Sequence, residues 1–291
     1  MGRAATPAAL SDFMAAGDPG ASSPSEVTTL PPVDRPTIAA IAALVYSTGA
    51  VIHEIAGHGS MCLLSGGATE SWSSVHFGCS VESLAVMAGG TLANVVAGLL
   101  FLAAYRVARG AATATRYALW LAATLNLMQA AGYFLFSGVL GIGDWAAVLR
   151  HFGAGGVARA VMAASGMAVY LVIVALAARG LGPFLPSDRA AAERAARPLT
   201  LFPWIVGGIL SCVAGALNPV GFILVAISAA AASFGGTSGL AWMASIVGTS
   251  WAPLEPGEHG LAIPRHRGYL LAGLLAAILF IAVLGPGSGG G

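Results

Sequence analysis

Read by hydropathy alone, the chain is a series of long apolar runs joined by short polar links. The runs cover 37–63, 82–105, 116–140, 158–179, 201–233 and 268–286. Each is close to or above the roughly 20 apolar residues that a helix needs to cross a bilayer. The fifth is ambiguous: Asn218-Pro219 interrupts it, and a further short apolar stretch, FGGTSGLAWMASIVG, follows. The region 201–250 therefore reads either as one long helix with an interfacial piece or as two shorter crossings. Six spans are expected, with seven as the alternative. A lipid-exposed spanning element must be a helix or a closed barrel, and no soluble insert separates these runs. The expected fold class is an all-α polytopic membrane protein in one bundle.

Composition agrees. The 291 residues are 57% hydrophobic and 9% charged, with a mean hydropathy of +0.83, where a soluble domain is about a quarter charged. The bilayer is thus one expected partner. A net charge of +1 offers no basic surface for nucleic acid. All 13 basic residues are arginine; with abundant Ala and Gly, this suggests a GC-rich bacterial genome and the bacterial inner membrane. Three cysteines, Cys62, Cys79 and Cys212, are too few for a disulfide framework and form no close-spaced ligand pair. Residues 1–36, rich in Ala, Ser, Pro and Asp, read as a disordered leader without the features of a signal peptide. Residues 37–150 read as a core, 151–286 as accessory spans and 287–291 as a flexible tail.

The links differ in character. Gly66–Ser80 (GGATESWSSVHFGCS) is polar and aromatic, as a hairpin or re-entrant segment would be. Arg106, Arg109 and Arg116 separate spans two and three; Arg179, Arg189, Arg194 and Arg197 separate spans four and five. With six spans both clusters lie beside the N-terminus, which the positive-inside rule makes cytoplasmic. Arg150, Arg159, Arg265 and Arg267 then fall opposite.

Inside the first run lies VIHEIAGHGSM, with three ionisable side chains in a segment able to span. Such groups are costly in hydrocarbon and mark an interior site or cavity. His53-Glu54-Ile55-Ala56-Gly57-His58 reads as an H-E-x-x-H helix, whose histidines share one face as an i, i+4 pair and bind one metal ion. Glu54 is placed to take a proton from water activated there. Gly57 and Gly59 leave room for another helix or a substrate. A helix begun near Thr37 puts His53 roughly 24 Å along it at 1.5 Å per residue, nearer its far end. A hydrogen-bonded polar cluster or proton relay would use the same residues without metal.

A catalytic zinc site takes three protein ligands and leaves a position for water. Asp144 is the leading third candidate, because glycines at 138, 141 and 143 can break the helix and turn its carboxylate inward; as a helix N-cap it would need no metal. Glu82, His76, Glu70 and Cys79 are weaker candidates. Thr91, Asn94 and Gly98 share a face of span two, and Asn126, Gln129, Tyr133 and Ser137 share one of span three. These are interhelical seams, or donors to a substrate oxyanion, for which Asn94 and Asn126 are the leading candidates.

These residues resemble the site-2 protease family of intramembrane zinc metalloproteases, in its compact members without an evident PDZ domain. HEIAGHG resembles the first family motif, GGTLAN the second with Thr91 in the usual proline position, and NLMQAAGYFLFSGVLGIGDW the third in part, without its prolines and with Trp145 after the aspartate. The resemblance spans residues 40–150. It implies a three-helix metalloprotease core with His53, His58 and Asp144 holding Zn²⁺ and Glu54 as base. The implied reaction is endopeptidase cleavage in or near transmembrane segments of a membrane-protein substrate. It also implies a site nearer the cytosol, opposite to the side that the arginines favour. The competing expectations are a non-proteolytic metal-binding regulator or scaffold and, further off, a transporter.

Overall fold

The computed structural model describes residues 30–219, 221, 225–254 and 260–288. Most of the expected leader, residues 1–29, and residues 289–291 of the expected tail lie outside the described residues.

The architecture is helical. Among the described residues six helices are long and apolar enough to span: α1 (Arg35–Leu64), α2 (Leu84–Val107), α3 (Thr113–Leu140), α5 (Gly156–Gly180), α6 (Arg189–Ala216) and α8 (Arg267–Leu284). Between them lie a two-stranded antiparallel hairpin, β1 (Thr69–Trp72) and β2 (Phe77–Cys79), the short α4 (Asp144–His151) and the π-wound α7 (Val225–Gly235). The sequence-predicted hairpin at Gly66–Ser80 is therefore present.

Local chemistry sets the ends. Asp34 caps α1 by accepting from the Thr37 backbone at 3.0 Å, Ser83 caps α2 at 3.2 Å and Asp188 caps α6 at 2.8 Å. Gly141, at φ +70°, stops α3 in the left-handed conformation that only glycine adopts without strain.

α3 is the central helix, with 67% of its apolar window buried, whereas α8 buries only 11%. Leu99 and Leu100 on α2, Val172 and Leu176 on α5, and Leu271 and Leu274 on α8 face outward. Apolar surface on that scale belongs against lipid. This is a multi-pass membrane protein.

The fifth span differs from the expected 201–233. α6 begins at Arg189, so Arg189, Arg194 and Arg197 lie on its first turns and not in a loop. DRAAAERAAR is a capped run of strong helix formers, and Pro198 and Pro203 are carried inside the helix, as membrane helices tolerate.

The chain then crosses back. Ser228 donates to the Val75 carbonyl beside the hairpin at 2.9 Å, Thr237 meets Tyr46 in mid-bundle at 2.9 Å, and Gly248 packs on Arg189. At that end Arg179 donates to the Trp251 carbonyl at 2.8 Å. α8 accordingly starts beside the start of α1, where Ile263 bridges Val33 and the His266 backbone donates to Thr37 at 3.0 Å. It ends at the hairpin, where Ser288 bridges Trp72. Residues 225–254 thus make a broken seventh traverse, and α1 and α8 run parallel.

Candidate metal centre

The two histidines are five residues apart, not four, so the expected i, i+4 pair is corrected. In an α-helix of 3.6 residues per turn, residues five apart point about 140° away from each other. The chain solves this by winding Ile52–Gly59, the segment that carries His53, Glu54 and His58, as a π-helix. Its i→i+5 turns absorb one extra residue and bring positions five apart onto one face. Arg35–Val51 before it and Ser60–Leu64 after it remain α-helical.

The extra turn is braced by close packing. A Cβ on Gly57 would lie 2.5 Å from the Gly90 Cα, so α1 and α2 cross at bare backbone. A Cβ on Gly90 would lie 2.5 Å from His53 Nε2 and 2.6 Å from His58 Nε2. Gly90 thereby keeps open the space toward which both Nε2 atoms point. A Cβ on Gly59 would meet the Phe77 ring of the hairpin at 3.2 Å.

Asp144 arrives from the other side. Gly141 and Gly143, at φ +70° and +85°, turn the chain sharply out of α3 and into α4, of which Asp144 is the first residue. Gly138 takes no part in that turn. It is a contact glycine, where a Cβ would strike the α5 backbone at Ala163 N, 2.7 Å away. Asp144 Oδ2 lies 3.2 Å from His53 Nε2 and 3.5 Å from His58 Nε2.

The protonation pattern of the rings follows from fixed carbonyls. His58 Nδ1 lies 2.7 Å from the Val86 carbonyl, which can only accept, so Nδ1 carries the proton. Asn126 donates to the Ala122 carbonyl at 2.8 Å, so its Oδ1 accepts from Asn94 Nδ2 at 2.8 Å. Asn94 Oδ1 is then the acceptor for His53 Nδ1 at 2.6 Å. Both rings thus hold their first proton on Nδ1 and turn Nε2 toward the carboxylate.

A carboxylate oxygen facing two Nε2 atoms needs positive charge between them, from ring protons or from a metal ion. Asp144 Oδ2 is buried without a hydrogen-bond partner. Burial alone would raise the Asp144 carboxyl; the two imidazoles outweigh it and hold the group well below the usual carboxylate range. The three ligand atoms lie within 4.8 Å of one another. Tetrahedral bonds of about 2.1 Å require ligand separations of roughly 3.4 Å, which the two histidine–carboxylate contacts match. The orphaned oxygen, the gap kept by Gly90 and the donor set all fit a metal ion held by His53, His58 and Asp144.

Other sequence-predicted residues fall in defined places. Glu54 is buried and lines a cavity of about 610 Å³ together with the three ligand residues. Glu70, His76 and Glu82 line the same cavity without joining the ligand cluster. Cys79 is disulfide-bonded to Cys62 and has no free thiolate to offer; this is a single cross-link, with Cys212 free. Asn94 and Asn126 are buried at the Nδ1 end of His53, their amides engaged with each other and with the Ala122 carbonyl. From there they orient His53 across the α1–α2–α3 seam, and neither lines the cavity.

Sequence reasoning passed over the Val86 carbonyl and noted Gly90 only as part of GGTLAN, without its role beside the histidines. It gave Tyr133 only a minor part, yet its ring stacks on His53 with centroids 4.5 Å apart and planes 12° from parallel. The one available signal was position: Gly90 lies four residues before Asn94, and Tyr133 seven residues after Asn126, each on the same helix face as that asparagine.

Comparison with protein-family models, curated proteins and solved structures gives no match for this chain.

Proposed function

We propose that the protein is a zinc-dependent intramembrane endopeptidase that hydrolyses peptide bonds in or near transmembrane segments of membrane proteins. The observation that carries this reading is a buried His53–His58–Asp144 ligand set opening, with Glu54 beside it, into a cavity large enough for several residues of extended peptide. Two imidazole nitrogens and one carboxylate oxygen suit zinc in a catalytic site. Zinc held there supplies Lewis acidity, lowering the pKa of water and polarising a carbonyl.

The chain's own residues do the rest. Glu54 accepts the proton from the attacking water and passes it to the leaving amine. Asn94 and Val86 hold the rings so that Nε2 stays available, and stacking on Tyr133 fixes the plane of His53. A helical substrate hides its peptide bonds and must unwind to enter. β2 lines the cavity and offers backbone groups against which an extended stretch can pair.

The test compares Glu54→Gln with His53→Ala on a membrane-protein substrate in proteoliposomes. Glu54→Gln keeps zinc and loses cleavage by about 10²–10⁴-fold, whereas His53→Ala loses both. If no membrane segment is cleaved by the zinc-loaded parent, the non-proteolytic metal-binding reading takes over.

A further inference from the structure

We propose that the metal centre opens on the oxidising, extracytoplasmic face of its membrane and takes the parts of membrane proteins that are presented there. Two independent features support this. The first is the distribution of arginine once the seventh traverse is counted. Arg106 on the last turn of α2, Arg109 in the loop after it and Arg116 on the first turn of α3 lie together, as do Arg179 on the last turn of α5 and Arg189, Arg194 and Arg197 on the first turns of α6. Hydrogen bonds from Tyr105 to the Gly180 carbonyl and from the Leu261 backbone to Pro183 tie these segments to one end of the bundle. Because residues 225–254 cross back, Arg265 and Arg267 join Arg35 at that same end.

Only Arg150 and Arg159, of the described arginines, lie at the hairpin end, where they donate to the Gly141 and Gly138 carbonyls. Counted on six spans, Arg265 and Arg267 had opposed the bias; on the observed path they strengthen it. The positive-inside rule then makes the arginine end cytoplasmic. The hairpin, α4 and the cavity are at the opposite end.

The second feature is the Cys62–Cys79 disulfide, which lies at that opposite end and joins the last turn of α1 to β2. Disulfides persist in oxidising compartments and are rare in the cytosol. Its formation removes two protons and two electrons from the thiols, taken up by a disulfide-bearing oxidant of that compartment. The bond ties the strand that lines the cavity to the helix that carries both histidines. The cavity's non-histidine charges, Glu54, Glu70, Glu82 and Asp144, are all acidic. A segment with neutral or basic residues on the outer side suits this mouth. That substrate class rests on the proteolytic reading; the sidedness does not.

The experiment therefore reads location without turnover. The full chain is expressed in a bacterial cytoplasmic membrane with alkaline phosphatase or green fluorescent protein fused after Gly291. Seven crossings from a cytoplasmic N-terminus leave the phosphatase active and the fluorescent protein dark; the reverse pattern overturns the proposal. In a Cys212→Ser background, acid-trapped and denatured protein is treated with a polyethylene-glycol maleimide. No mass step without prior reduction and two steps after it are expected. Two steps without reduction would show free thiols and overturn the oxidising assignment.

Discussion

Asp144 and Gly90 make the same demand from opposite directions, one by supplying a ligand and the other by having no side chain. Asp144→Asn keeps the shape and removes the charge, so metal per chain falls from near one to near zero while the helical signal is kept; elemental analysis of detergent-purified protein checks this. Gly90→Ala puts a methyl group 2.5–2.6 Å from both Nε2 atoms, and is expected to lower metal affinity by at least tenfold. Asn94→Leu removes the acceptor that fixes the His53 tautomer, for an expected 10–100-fold loss of metal affinity, and Asn94→Asp restores most of it. Asp34 behaves differently, at the exposed start of α1. Its hydrogen bond from the Thr37 hydroxyl holds the carboxyl below its ordinary 3.8. A depressed folded value means that its stabilisation is present above that ordinary value and lost as pH falls through the lowered one. The difference in melting temperature between the parent and Asp34→Ala is therefore expected at pH 7 and should shrink as pH falls below that ordinary value and through the lowered one.

At the scale of elements, the π-wound part of α1 decides whether the motif works. An insertion into H-E-x-x-H would scatter its ligands if the helix stayed α; a π-turn confines the cost to one segment and keeps both flanks in register. Deletion of Ala56, on the exposed side of the turn, should return the segment to an α-helix with the histidines four apart. Metal binding is expected within a few-fold of the parent, whereas insertion of a second alanine there should abolish it. Isothermal titration with zinc in detergent measures both. The expected helix break before Asp144 was legible because two glycines at positive φ were needed to reverse the chain there. The start of α6 was misread because hydropathy follows only the apolar run from 201, while the Asp188 cap and nine residues of helix formers carry the helix back through a charged stretch.

For the whole molecule, the hairpin matters most because it closes one side of the cavity and is held by a covalent bond. Cys62→Ser frees a closure of 17 residues, for an expected loss of about 3 kcal/mol in the chain-entropy account. The unfolding midpoint of the variant should fall below that of the parent without reductant and match it with reductant. Metal content should fall less than stability does, since neither cysteine is a ligand.

The apolar runs by themselves determined a bundle of membrane helices, because run length and the absence of charge leave hydrocarbon as the only compatible solvent. The sequence also marked His53, Glu54 and His58, since ionisable groups in such runs are too costly to be incidental, and Asp144, by the glycines that break the helix before it. Tertiary structure alone decided how they meet. The π-winding that aligns two histidines five apart, the bare Gly57–Gly90 crossing and the asparagine chain that orients His53 all depend on α1 packing against α2 and α3. It also decided the path of residues 225–254, and with it the side on which Arg265 and Arg267 lie. Hydropathy records how long a segment is apolar; where an interrupted segment travels is set by contacts with residues far away in the chain.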